Sequence, residues 1–510
     1  MNIRLNKYNI IAFFVFFISI PIFCILLVKY WNLTFDDSFI TFRYSKMMAL
    51  GFGPRFNPSG IPEEGYTSFL WMLIMVVPHL IGGDAIVFSK IVGILFFILS
   101  MCFVFLLIKT LIPFIQDDLK NLFASLGILL IILFRGNVFH IVTGMETSLF
   151  AFLLVLFAYI NIRFLREKKR NLSVILFITG FLIGITRPEG NLYVLVASLS
   201  TFFFLNRQEK IFYIKNFILF YVLPGLGYFS WRWWYYGNFL PLPFYIKIAG
   251  RRSYFAGLKE VLGFLNYFSF TLVFLLLGTV MSWKKTIPVF IAISSMIFFF
   301  IYPRHIMGLE WRFLNPVCAL MIVFIMIGLG YIYEKMSAYI VSKNVRLILI
   351  VLVIAVTCYR FLLPLPISLK YARGYSRGLK MAHIKLGKVL NKLSDKNFSK
   401  VVAVGDAGAV PYFSMWKTID TYGLNDVYIA MTGNHNPDYI FRKKPDIVVL
   451  ISFSSTDFIP HLKWELDIYT ESIRRGYSKV KLLVFSERNY FLWVMADPNT
   501  EIGRKLLQWY

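Results

Sequence analysis

Charge is scarce in this chain: only 16% of its 510 residues are Asp, Glu, Lys or Arg. Acid is scarcer still, with 27 acidic residues against 53 basic ones and a formal net charge of +26. Soluble globular domains carry about a quarter of their residues as charges, so that class is excluded. Cysteine is nearly absent. The four present, Cys24, Cys102, Cys318 and Cys358, lie in or beside apolar runs without ligand spacing; they are expected to be core residues, which excludes a disulfide framework and a zinc site. No internal repeat or low-complexity linker is evident, which counts against transporters built from duplicated halves. RNA and DNA motifs are missing as well, so the basic excess, spread over short loops, points to membrane lipids and polyprenyl phosphates and not to nucleic acid.

Apolar residues fill the space. They make up 58% of the chain, with 54 Phe and a mean hydropathy of +0.67. Runs at 10–28, 85–108, 212–228, 316–332 and 347–363 have the length and near absence of charge that a bilayer-spanning helix requires. The first run has basic flanks but no small-residue cleavage site before Lys29, so it is expected to be a retained span.

Short cationic loops order the topology. Arg4 and Lys7, the cluster Arg163 to Arg170, and the loops at 207–215, 283–285 and 335–346 are expected in the cytoplasm by the positive-inside bias. They alternate with aromatic-rich loops of mixed charge. Working outward from them gives about eleven spans, at 9–30, 85–110, 121–135, 147–163, 172–186, 190–206, 212–230, 260–281, 287–302, 313–333 and 346–364. The apolar stretch 69–81 is short and contains Pro78 and His79, so it is read as an interfacial or re-entrant helix in a first external loop, 31–84. From Lys370 onward apolar density falls and short β-rich runs follow at 401–404, 446–451, 481–485 and 491–495. The fold class expected is a polytopic α-helical membrane protein, residues 1–369, followed by a soluble α/β domain, residues 370–510, on the external, periplasmic side of the inner membrane.

The polar motifs collect at span ends. Asp36 and Asp37 follow the first span, with Arg43, Glu63, Glu64 and Tyr66 after them. Two adjacent carboxylates at a membrane surface repel each other, and persist where solvent, a cation or a substrate hydroxyl engages them. Glu146, Arg187, Glu189, Tyr245, Lys247, Glu310 and Arg312 stand in later loops that the topology places on the same side. Each has a plain alternative. Glu146 before Thr147 suits a helix cap, Arg187 and Glu189 suit a local ion pair, and Trp311 suits an interfacial anchor. Cations around an acidic pair nevertheless match what holds a phosphate at a membrane surface.

The string DDSFITFRYSKMMALGFGPRFNPSGIPEEGYTSFLW, residues 36–71, resembles the first external loop of GT-C type membrane glycosyltransferases. The group it most resembles is that around the actinobacterial terminal β-arabinofuranosyltransferase. The motifs GMETSLF, TRPEG, YYGNFLPLPFYIK, EWRFLNP, VVAVGDAGAVPYFS and IDTYGLND resemble later blocks of that group in the same order. Glu63 stands where that group has valine, and fewer residues follow the last span, which leaves the sugar and the acceptor open.

The resemblance implies transfer of a sugar from a polyprenyl-phosphate donor to a glycan or lipid acceptor, with the carboxylate pair at the reaction centre. Asp36 is then the expected base, with Asp37 ordering the loop or holding a divalent cation. Arg187, Lys247 and Arg312 are expected on the phosphate, with Arg43 in reserve. Glu64, Tyr66, Glu146, Glu189, Tyr245 and Glu310 are expected to line the substrate site. The C-terminal Asp406 and Asp420 are weaker candidates on the acceptor side. The competing class is a lipid-linked sugar flippase or transporter without catalysis.

Overall fold

A backbone in hydrocarbon must bond to itself, and every apolar run expected to span is helical. The computed structural model describes residues 6–249, 254–281, 283–302, 308–394, 398–486 and 490–509. Among them seven helices are long and apolar enough to cross a membrane: Lys7–Tyr30, Ala85–Leu111, Thr147–Glu167, Arg207–Tyr236, Phe255–Met281, Asn315–Ala338 and Lys343–Lys392. An eighth arises if Asp117–Leu133 and Arg135–Ile141, bent by 66° at their junction, form one span. The expected eleven spans are not all met. Arg170–Thr186 and Gly190–Phe202 are apolar but have only 17 and 13 residues, and at 1.5 Å per residue the shorter reaches about 20 Å of a 30 Å core. Trp283–Phe299 also has only 17 residues. The chain is a multi-pass membrane protein.

By internal contacts the chain divides into two units. The first comprises Met1–Trp31, Lys90–Phe229 and Arg252–Leu369. Its central helix is Asn315–Ala338, 89% buried over its most apolar stretch, whereas Lys7–Tyr30 is only 17% buried and turns Phe13, Phe14, Phe17 and Ile18 outward. That contrast is expected where lipid is the solvent, since outward apolar side chains then carry no penalty. Cys24 and Cys102 belong to this outward surface, contrary to the core position expected; Cys318 is buried and Cys358 partly so.

The second unit joins Asn32–Ser89 and Ser230–Arg251 to Lys370–Tyr510. Its sheet has strands β1 (Val401–Val404), β2 (Lys417–Asp420), β3 (Ile447–Ser452), β4 (Ser478–Ser486) and β5 (Tyr490–Ala496), in the order β2-β1-β3-β5-β4. The first three run parallel, and β5 is antiparallel to both β3 and β4. Strand side chains alternate between faces, and both faces are covered. Val402, Val404, Ile447, Val449 and Ile451 pack with Ile40, Tyr44, Phe56, Met72, Leu386, Leu390 and Trp416. Ala403, Val448 and Leu450 pack instead with Ile440, Phe441 and Ile468. The stretch 32–89 therefore supplies one layer of the sheet's core. Within it, Phe69–Ile74 and Val76–Leu80 are short helices, and Trp71 is buried.

In the first unit two helices approach backbone to backbone. A Cβ at Gly278 would collide with the carbonyl of Phe324, and one at Gly328 with the carbonyl of Phe274. Small residues let helices pack this closely where no hydrophobic effect drives them together. Gly328→Ala should destabilise the protein by about 1–3 kcal/mol, read as a lower thermal unfolding temperature in detergent; an unchanged temperature would contradict the close crossing.

Candidate active site

Asp36 opens the helix Asp36–Ala49 in the second unit, where carboxylates suit the positive end of the helix dipole. Its own carboxylate does more than cap. Oδ2 accepts the N–H of Gly408 at 3.0 Å and Oδ1 accepts that of Ala409 at 2.8 Å. The Asp36 N–H donates to the Tyr375 hydroxyl at 3.0 Å. Glycine is required at 408, because a Cβ there would strike both the carbonyl and the carboxylate of Asp36. The carboxylate is thus held on the turn that leaves β1, with Asp36 only 9% exposed. Asp37 is half-buried.

The same turn carries Asp406. Its Oδ2 takes the His383 Nε2 at 3.0 Å and the Tyr490 hydroxyl at 3.3 Å. His383 is fully buried, edge-on to Phe485 at 5.0 Å between ring centres, and its Nδ1 has no hydrogen-bond partner. Burial pushes the Asp36 carboxyl up to about 7; the positive charge of His383 pulls it down and the negative charge of Asp406 adds to the rise. Burial works against a charged His383, but the hydrogen bond and charge of Asp406, with the charge of Asp36, raise its pKa above the ordinary value. Asp406 is lowered. Burial opposes this, and the hydrogen bond and charge of His383 outweigh it, helped by Tyr490. Asp420 is fully buried and already engaged, accepting from the N–H groups of Tyr422, Gly423 and Asn425 and from the Asn425 amide.

Several expected substrate contacts are structural. Arg43 is fully buried and donates to the carbonyls of Phe56, Pro411 and Trp416, with its guanidinium over the Phe56 ring, so it is not a reserve for phosphate. Glu64 is 1% exposed and takes the Arg232 Nε on both oxygens at 3.0 and 2.8 Å, while Arg232 also donates to the carbonyls of Asn238 and Phe239. That pair ties 64 to 232–239. Tyr66 meets the Tyr236 hydroxyl at 2.9 Å, and the Tyr245 hydroxyl accepts the Leu240 N–H at 3.2 Å. Lys247 belongs to the helix Leu242–Ala249, and its side chain lies outside the described residues.

The first unit gathers the other expected residues. Glu146 does not cap its helix by a side-chain bond. It accepts from Arg187 Nη1 at 3.0 Å, while Arg187 Nε meets Glu189 at 2.5 Å and Arg312 approaches Glu146 at 3.9 Å. Glu310 pairs with Arg135 at 3.0 Å, and its carbonyl meets His140 at 3.0 Å. Glu310 and Trp311 both have left-handed backbones, φ 48° and 59°. Non-glycine residues rarely adopt that region, and two in succession mark a turn held in place by its surroundings. Among the described residues, Arg135, Arg187 and Arg312 face Glu146, Glu189 and Glu310.

Sequence reasoning missed Arg135, Arg232, Tyr375 and His383. A lone cation at a span end marked Arg135, and one inside an aromatic run marked Arg232. No local signal marked His383, because its partner Asp406 is 23 positions away.

A domain family described as "Domain of unknown function (DUF8728)" matches residues 372–502. No curated protein sequence matches the chain. Solved structures do. ArnT from Cupriavidus metallidurans bound to undecaprenyl phosphate superposes with a TM-score of 0.59 at 12% identity, covering 96% of this chain and 97% of that one. Its apo form gives 0.58 at 11%, covering 93% and 97%. An Archaeoglobus fulgidus oligosaccharyltransferase, tethered by a disulfide to an acceptor peptide containing the NVT sequon, gives 0.50 at 12%, covering 84% and 68%. The arabinofuranosyltransferase group is not among these structures. The chain has the fold of the GT-C membrane glycosyltransferases, with a small C-terminal sheet domain.

Proposed function

We propose that the chain is an inverting glycosyltransferase that moves a sugar from a polyprenyl-phosphate donor to a glycan or lipid acceptor of the cell envelope. On this reading the site and the C-terminal sheet face the periplasm. The observation that carries it is the Asp36 carboxylate, buried and fixed on two backbone N–H groups yet pushed up to about 7. A general base works best with a pKa near the operating pH. The fold similarity supports the class of reaction, and the undecaprenyl phosphate of one neighbour supports the class of donor.

The step needs little from the protein. The acceptor oxygen attacks the anomeric carbon as its proton passes to Asp36, and the bond from that carbon to the phosphate oxygen breaks. Its electron pair leaves with the lipid phosphate, which departs as an anion and needs no acid. Attack from the opposite side inverts the anomeric carbon. Arg187 and Arg312 are our candidates for the phosphate. Arg187 already pairs with Glu146 and Glu189, so a phosphate would share its guanidinium edges with them. Lys247 is a third candidate.

No step is routed through a divalent cation. Among the described residues no three His, Cys, Asp or Glu side chains stand together as a metal site.

The test is turnover of a panel of undecaprenyl-phosphate sugars by the full chain in nanodiscs, with release of undecaprenyl phosphate as the readout. Asp36→Asn should lower turnover by about 10²–10⁴. Asparagine also turns one acceptor into a donor facing a backbone N–H, so unfolding temperatures must be read alongside. In the wild type, kcat/KM should fall as pH drops through about 7, because protonated Asp36 cannot accept a proton. Gly408→Ala should reduce turnover while leaving the first unit's helices folded, as the new Cβ displaces Asp36. No turnover of any donor, together with movement of the lipid-linked sugar across proteoliposomes, would replace the enzyme with a flippase.

A further inference from the structure

His383 sits where a helix changes its winding. The helix Leu365–Leu379 passes into a π-helical turn, Lys380–Ile384, before resuming as Lys385–Lys392. Such wide turns cost hydrogen-bond geometry and recur at functional sites. This one lies between Tyr375, whose hydroxyl holds the Asp36 N–H, and the resumed helix; it brings His383 to Asp406, two residues before the glycine that holds the Asp36 carboxylate.

We propose that His383, anchored on Asp406, is a positioning residue for the reaction assigned to Asp36: its imidazolium stands beside the carboxylate and keeps it ready to take the acceptor's proton. The inference rests on the reading of Asp36 as the base. Three features carry it. A histidine with no exposed surface has its Nε2 3.0 Å from the Asp406 carboxylate, so a charge on it is met by that carboxylate and not by solvent. Asp406 keeps 36% of its side chain open although His383 and Tyr490 both hold its Oδ2, so a negative charge there stays solvated enough to support the cation. The Asp36 carboxylate rests on the turn that carries Asp406, the two repel, and the nearby His383 offsets that repulsion.

Among the described residues, these other charged or titratable groups face the cluster. Asp37 neighbours Asp36 on its own helix, and Tyr375 faces it from the helix of His383. Tyr490 on β5, His461, and Glu465 on the helix Lys463–Arg474 face Asp406. Of these, only His461 can add positive charge, and it acts on Asp406.

The experiment reads the Asp36 carboxyl directly, so that it does not depend on finding a donor. Full-length protein in nanodiscs is titrated from about pH 5 to pH 9 by infrared difference spectroscopy, the Asp36 band being the one lost in Asp36→Asn. In His383→Gln the midpoint should move up by about one pH unit or more, and in His383→Lys, which restores a cation, it should return toward the wild-type value. An unmoved midpoint in a folded His383→Gln protein overturns the proposal. If neither variant folds, ¹⁵N-histidine NMR of the wild type decides: the chain has 6 histidines, and an imidazolium persisting above pH 7 at His383 is required, whereas a neutral His383 at pH 7 overturns it. With an active donor in hand, the acidic limb of kcat/KM should follow the infrared midpoint in each variant. Absence of turnover would count against the glycosyltransferase reading while leaving this charge pairing to be judged on the titration alone.

Discussion

The second unit depends on one carboxylate meeting two backbone N–H groups. Asp36 and the turn Gly408-Ala409 are more than 370 positions apart in sequence, yet the helix begun by Asp36 forms a layer on the sheet that the turn leaves. Charge-assisted bonds from a carboxylate to backbone amides are short and strong. Here they are also the polar seam through an otherwise apolar contact. Arg43, about two turns further along the same helix, closes a second seam on the carbonyls of Pro411 and Trp416. Between them, an acid at one end and a base further along bind the two ends of the segment 408–416 to one helix. The segment 32–89 is therefore as much a part of the sheet domain's core as the strands themselves.

That arrangement explains which residues were legible in the sequence. Apolar length and loop charge sufficed for the helical segments, because a bilayer leaves the backbone no alternative to the helix. Short runs rich in β-branched and apolar residues marked β1, β3, β4 and β5. Strand β2, Lys417-Thr418-Ile419-Asp420, escaped because it has one large apolar residue, and its pairing comes from a register with β1 that no local pattern encodes. Arg43 and Glu64 were read as ligand-binding because they are charges near a motif. The carbonyls and the Arg232 that satisfy them are brought in by tertiary packing.

Charge in the first unit obeys a different rule from charge in the second. Three arginines and three glutamates, set at helix ends and at the bend after Leu133, pair off with little exposure. Buried ions without partners cost several kcal/mol each, so pairing is the condition for keeping them near hydrocarbon. The left-handed backbone at Glu310 and Trp311 fits this picture, since the carbonyl of Glu310 on His140 and its carboxylate on Arg135 hold the turn that presents Arg312.

Asp36 would be an uneconomical choice if tethering were its whole purpose. Two backbone N–H groups favour the ionised form, and so does His383, yet burial and Asp406 still leave the carboxyl at about 7 against an ordinary 3.8. At 1.36 kcal/mol per unit, ionising it in place costs roughly 4 kcal/mol. A raised acid stabilises the fold fully below its unfolded pKa, and that contribution is lost as pH rises from about 4 through 7. From neutral pH upward this residue helps stability least. A hydroxyl or amide at 36 would satisfy at least one of the same N–H groups without that cost. On the proposed reading, what a carboxylate in this state offers is a proton acceptor already desolvated, with His383 beside it limiting the penalty. On that reading the local structure gives up stability to keep the acceptor, the pattern expected where a site serves chemistry.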